Sequence, residues 1–343
     1  MSSNASKIGV AIIGCGHWGP NHIRNFASHP HACVRYCVDL DAQRLRSVSS
    51  QFPQVQVTGD LRQALADPSV HAVVIATPTA THFTLASQAL EAGKHVLCEK
   101  PLVARTSEAE RLRHLATNAG KLLMVGHVFL FNAGIVKMRE LIHSNEVGRI
   151  YYLHATRTNL GPIRHDVDCV WDLATHDISI FNYLLGQSPI EVSARGGGYL
   201  QPGKADVAFV TLTYPQQIIA NIHVSWLDPK KIRQITVVAD RKMVTWDDMA
   251  PSGSVMIYDK GVVREPFYSD FGEFQLVTKE GDVVIPKVPG REPLRVQTDY
   301  FISAIERGKL DQCGPDEGAM VVRVLEAIDK SMTANGAAMP VDS

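Results

Sequence analysis

The chain alternates short apolar runs with longer segments in which apolar and polar residues recur at helical spacing. The first run, residues 8–13, ends in glycines, and a segment fit for a helix, 18–28, follows it. Further runs fall at 32–38, 72–76, 95–98 and 121–125. Between them, residues 41–51, 61–66, 82–92 and 107–118 carry helical patterns, three of them stopped by Asp67-Pro68, Gly93 and Gly120. Short β-rich runs alternating with helices predict a parallel α/β sheet of about six strands over residues 1–128.

Beyond residue 129 the pattern changes. Helices at 134–144 and 169–185 flank a strand at 150–156, and strands then dominate: 191–199, 207–214, 218–226, 233–239 and shorter ones through Val284. Asn221-Ile222-His223-Val224-Ser225-Trp226 alternates polar with apolar, which predicts one covered face and one open face. Residues 129–290 are therefore expected to form an α+β domain around a large, open-faced, mostly antiparallel sheet. Helices cover one face, and a second copy of the chain is the expected cover for the other. Residues 294–307 and 317–334 read as helices, and 291–343 is expected to pack back across both domains.

Gly14-Cys15-Gly16-His17-Trp18-Gly19 sits where the first strand meets the first helix. Gly14 suits the tight turn, Gly16 lets a pyrophosphate approach the backbone, and Gly19 lets helix and strand pack closely. The helix N-terminus offers unpaired N–H groups to phosphates. The second run ends at Asp39, where a dinucleotide fold places a carboxylate for the ribose hydroxyls. The first domain thus reads as a Rossmann unit. A carboxylate at position 39 repels a 2′-phosphate, so NAD is expected over NADP. Arg44 and Arg46, on the next helix, are the cations within range to reach back.

Composition narrows the class. The 343 residues suffice for two domains, and 45% hydrophobic with 20% charged residues is ordinary for a soluble globular protein. A net charge of −1 gives no basis for a nucleic-acid or anionic-membrane partner. The 6 cysteines include no CxxC; Cys33 and Cys37 would stand roughly 13 Å apart on an extended strand, too far for a disulfide. A reduced, cytoplasmic protein is expected. The 14 histidines form neither HExxH nor a compact cluster, so no metal is expected. The first seven residues read as a short leader into the first strand, not a signal peptide, and no segment is long and apolar enough to span a membrane.

Two constellations carry candidate chemistry. Glu99-Lys100-Pro101 directly follows the fifth run, at the strand end where ligands of open α/β sheets sit. A lysine there can steady an oxygen as alkoxide character develops; a surface lysine in a proline turn reads the same way. Asp172 and His176 lie four apart, on one face of a helix. A carboxylate beside an imidazole raises its basicity and orients it for general-base work, and the same spacing also describes a plain acid–histidine pair.

Taken in order, the glycine loop, the Glu-Lys-Pro triplet and the later Asp-x-x-x-His resemble the Gfo/Idh/MocA oxidoreductases, over nearly the whole chain. The resemblance implies a Rossmann domain followed by a domain whose open sheet makes a homodimer or homotetramer. It implies catalytic roles for Lys100, Asp172 and His176. It implies cofactor contacts from Gly14, Gly16, His17, Trp18, Gly19 and Asp39, with Thr77, Pro78, Thr79, His82, Glu99 and Lys100 beside the nicotinamide. Where many members carry a glycine-rich stretch, this chain has Arg164-His165-Asp166-Val167-Asp168-Cys169-Val170. Its 159–164 segment is similar to members associated with nucleotide-sugar metabolism, so Arg157, Asn159 and Arg164 are expected at the substrate, where guanidinium groups suit phosphate or carboxylate. The expectation is an NAD-dependent dehydrogenase acting on a ring hydroxyl of a pyranose or nucleotide sugar. In it, His176 takes the proton, Lys100 assists, and Asp172 orients the histidine or holds the substrate. An inositol dehydrogenase, an NAD-dependent glycosidase and a silent NAD-binding protein stay open as alternatives.

Overall fold

The computed structural model describes residues 7–266 and 274–341, so residues 1–6 of the expected leader lie outside the described residues. The chain divides into two compact units. One is built from the chain up to Phe131 plus Glu292–Arg323, the other from Asn132–Arg291 plus the chain from Val324.

The first unit opens with β1 (Ile8–Ile13), α1 (Gly19–Ala27), β2 (Ala32–Val38), α2 (Ala42–Gln51), β3 (Gln56–Thr58) and α3 (Leu61–Ala66). It continues through β4 (Ala72–Ile75), α4 (His82–Glu91), β5 (His95–Glu99), α5 (Thr106–Ala119) and β6 (Leu123–Gly126). The strands make one parallel sheet in the order β3-β2-β1-β4-β5-β6. β4 and β6 are buried along their whole length, which is why they read as unbroken apolar runs. β3 escapes the sequence pattern because its three residues are exposed or half-buried and form no such run. Between β1 and β4 the strand order reverses, and ligands of such sheets bind beyond the strand ends at that point. Asp41 starts α2 by accepting the Gln43 and Arg44 N–H groups.

The second unit contains α6 (Ala133–His143), β7 (Ile150–Leu160), a π-helical turn (Val170–Ala174) and α7 (Thr175–Leu185). The strands β8 (Glu191–Gly197), β9 (Val207–Thr213), β10 (Ile219–Ser225), β11 (Leu227–Ala239), β12 (Met243–Asp247) and β13 (Val255–Tyr258) follow. A separate ribbon pairs β14 (Gly261–Pro266) with β15 (Phe274–Lys279), and β16 (Val283–Val284) returns to the main sheet. Then come α8 (Pro293–Arg307), which belongs to the first unit, α9 (Pro315–Thr333), inside which the division between units falls, and β17 (Met339–Pro340).

The main sheet of the second unit runs β16-β13-β12-β11-β7-β10-β9-β8-β17. Its neighbours are antiparallel except β7 and β10, which are parallel. β11 begins well before the expected residue 233, across an irregularity in its pairing with β7 that hides the alternation. One face is covered: Leu153, Ala155 and Arg157 of β7 and Ala220, Ile222 and Val224 of β10 are buried. The other carries exposed Tyr152, Phe209 and Ile219, with Phe209 stacked on His223 at 4.5 Å between ring centres.

Within the first unit, α8 packs against α1, and the buried rings of Phe26 and Phe301 meet edge to face at 6.4 Å.

Candidate active site

The glycine loop closes β1 with three residues that serve different needs. Gly14 has φ +91°, and a Cβ there would lie 2.5 Å from the Ala76 carbonyl oxygen. At Gly19 a Cβ would lie 2.1 Å from the Gly14 carbonyl oxygen, so α1 meets the loop only through a bare backbone. At Gly16 the nearest atom is Arg44 Nη1 at 3.5 Å, which leaves that backbone open to a ligand. No side chain caps α1; Pro20 has no N–H and the Asn21 and His22 N–H groups donate to the Trp18 carbonyl, so the Gly19 N–H is the one the first turn offers an anion. His17 and Trp18 stand exposed on the loop, their rings edge to face at 5.7 Å. The residues present therefore fit the pyrophosphate of a dinucleotide.

Asp39 does more than the sequence reading assigns it. Its Oδ2 accepts the Cys15 N–H at 2.7 Å and its Oδ1 the Asp41 N–H at 2.8 Å, so the carboxylate braces the glycine loop. A carboxylate accepts about four hydrogen bonds, which leaves capacity for two ribose hydroxyls. Arg44 does reach back: its Nη1 lies 3.7 Å from Asp39 Oδ2.

At the ends of β4 and β5 the expected nicotinamide residues divide into two groups. In the loop after β4, Thr77 is half-buried and Pro78 exposed, with the Thr77 hydroxyl 2.7 Å from that of Thr81, while Thr79 is buried. The buried His82 ring stands between the Thr77 carbonyl, 2.9 Å away, and the carbonyls of Pro101 and Leu102, at 3.0 and 3.2 Å. Burial draws its pKa below the ordinary value, although those carbonyls pull upward. The neutral ring donates its single N–H to one of these loops and packs against the other.

Glu99 is buried, with Oε1 2.7 Å from His22 Nε2 and Oε2 accepting the Lys100 N–H at 3.3 Å. Burial pushes its carboxyl upward most strongly, but His22 and Lys100 outweigh that and hold it below the usual range. Lys100 itself is 9% exposed, and the bond to Pro101 is cis. His22 comes from α1, so this pair ties the glycine-loop helix to the Lys100 corner. Sequence reasoning missed His22; its signal was a polar residue beside Ile23 and Phe26 on the buried face of the helix.

In the second unit, Asp172 lies in the π-helical turn, and His176 in the first turn of α7. The helix expected over 169–185 is continuous, and it opens with this π-helical turn. π-turns inside helices recur at functional sites. Asp172 Oδ1 accepts from Arg164 Nη1 at 3.0 Å and Oδ2 from Trp226 Nε1 at 3.3 Å. His176 is 9% exposed.

The three residues expected at the substrate all have donors directed at protein acceptors. Arg157 lies on the covered face of β7 and forms a buried bidentate pair with Asp177 of α7, its closest contact 2.8 Å. The alternation Leu153, Ala155, Arg157 is the reason it points inward. The Asn159 side-chain amide donates to the Gly161 carbonyl. Arg164 spans Asp166 and Asp172. Among the described residues, no group of three or more His, Cys, Asp or Glu is placed to hold a metal ion, and no helix is long and apolar enough to cross a membrane. All six cysteines are free.

Comparison with known proteins agrees with this architecture. Residues 8–127 match the model of the oxidoreductase family with an NAD-binding Rossmann fold, and residues 135–245 match the GFO/IDH/MocA C-terminal domain. The chain is 31% identical over 270 residues to UDP-N-acetylglucosamine 3-dehydrogenase of Acidithiobacillus ferrooxidans, covering 75% of this chain and 79% of that one. It is 29% identical over 222 residues to inositol 2-dehydrogenase 2 of Saccharopolyspora erythraea, covering 63% of this chain and spanning 66% of that relative's length. Among solved structures, GenD2 from gentamicin A biosynthesis in complex with NAD superposes with a TM-score of 0.84 at 27% identity, over 100% of this chain and 98% of that one.

Proposed function

The chain belongs to the Gfo/Idh/MocA oxidoreductases, and on that premise we propose that it is an NAD-dependent dehydrogenase acting on a ring hydroxyl of a nucleotide-linked sugar. The observation that carries the reading is the buried Glu99–Lys100 corner, tied through His22 to the helix of an open glycine loop. The substrate class rests on similarity to the UDP-N-acetylglucosamine 3-dehydrogenase.

Bound NAD supplies the acceptor for the hydride that leaves the carbinol carbon. As the C–O bond becomes a carbonyl, the hydroxyl proton must also leave, and His176 receives it. Lys100 donates a hydrogen bond to the same oxygen and stabilises its developing charge. Asp172, its carboxylate fixed by Arg164 and Trp226, holds a substrate hydroxyl, which makes Arg164 a positioning residue. Glu99 and His82 position the Lys100 loop. Asp39 takes the ribose hydroxyls and disfavours the 2′-phosphate of NADP. The free thiols support a reducing, cytoplasmic setting.

The test is absorbance at the NADH band with NAD and a panel of UDP-sugars, free pyranoses and inositols. A rise with UDP-sugars supports the proposal. A rise with inositols alone replaces the substrate, a second reading favoured by the inositol 2-dehydrogenase relative. No NADH formed from any of them, and none consumed with the corresponding keto compounds, contradicts the dehydrogenase.

A further inference from the structure

His127 stands at the carboxyl end of the parallel sheet, one residue past Gly126, which pairs with Glu99 across β5 and β6. Its backbone is satisfied, the N–H donating to the Val125 carbonyl at 2.8 Å and the carbonyl accepting from the Leu130 N–H at 3.0 Å. The ring is another matter. The residue is 1% exposed, and neither ring nitrogen finds a hydrogen-bond partner among the described residues. Most buried polar atoms are paired, and one that is not carries its full desolvation penalty.

The surroundings define what such a ring can bind. Glu99 Oε2 lies 3.2 Å from where a Cβ of Gly126 would be, so the carboxylate leans over the end of β6 beside His127. Burial, the largest influence, holds the imidazole pKa down to about 4; Glu99 pulls it up and Lys100 pushes it down. The ring is therefore neutral at pH 7, with one N–H to donate and one bare nitrogen to accept. In a sheet of this order the two halves of a dinucleotide lie on opposite sides of the β1/β4 switch. Asp39 marks the adenosine side, and β5 and β6 lie on the nicotinamide side.

We propose that His127 recognises the nicotinamide by hydrogen-bonding its carboxamide, a neutral group that both donates and accepts. The proposal rests on the dehydrogenase reading only in naming that ligand. It is tested by binding without substrate, so its failure and that of the sugar panel are separable.

The experiment compares the dissociation constants of NADH and of ADP-ribose, which lacks the nicotinamide, for wild type, His127→Phe and His127→Gln. Phenylalanine keeps the bulk and removes both nitrogens; glutamine restores one donor and one acceptor. The expected result for His127→Phe is an NADH affinity weakened about tenfold to a hundredfold, with ADP-ribose changed less than about twofold. His127→Gln recovers most of the loss. An NADH affinity within about threefold of wild type in His127→Phe overturns the proposal. So does a parallel loss of both ligands, which assigns the histidine to the scaffold.

Discussion

Asp39 holds two backbone N–H groups of its own chain and has Arg44 3.7 Å away. Removing the carboxylate therefore has two effects. Asp39→Ala frees the Cys15 N–H and loosens the glycine loop, and it leaves Arg44 as the nearest charge to the ribose position. The expected outcome is NAD affinity weakened about tenfold, with NADP weakened less or improved, read from the two dissociation constants. An unchanged NAD-to-NADP ratio would move ribose recognition away from this residue. Asp39 and the three loop glycines were legible in the sequence because turn chemistry and strand-end position are local. His22 and His127 were not, since their significance comes from partners or neighbours far along the chain. Arg157 was expected at the substrate; the alternation of β7 gave its inward direction, and its partner Asp177, twenty residues on, was not visible.

The elements were legible wherever an apolar run was long and unbroken. β1, β4 and β5 fall close to their expected bounds, because burial on both faces leaves an unambiguous signature, and β2 does so although Arg35 is exposed within it. The π-turn before α7 was not visible, since nothing in an apolar period near four distinguishes it from an α-turn. The parallel pairing of β7 with β10 was equally hidden, because alternation reports which face a residue occupies and not which strand lies beside it. β7 and α7 are joined by the Arg157–Asp177 pair, both side chains almost wholly buried. Asp177→Ala strands the guanidinium on the covered face. It is expected to cost about 3–5 kcal/mol, measured from urea unfolding of the intact chain. A loss below about 1 kcal/mol would show that the pair does not secure the element carrying His176.

At the scale of the whole molecule, the expected sequence of a parallel α/β unit followed by a strand-rich unit is what the chain forms. The tail is divided between the units: Glu292–Arg323 belongs to the first and the chain from Val324 to the second. Such membership depends on packing between distant segments, which helical periodicity does not encode. The proposed reaction assigns roles at one hydroxyl group to Lys100, Asp172 and His176. The most direct measurement takes Lys100→Ala and His176→Ala with the sugar the panel selects, and records turnover and NADH affinity on the same preparations. The account predicts turnover reduced roughly 10²–10⁴-fold in each variant, with NADH affinity within about threefold of wild type. Turnover surviving within a few-fold in either variant would contradict the assigned chemistry.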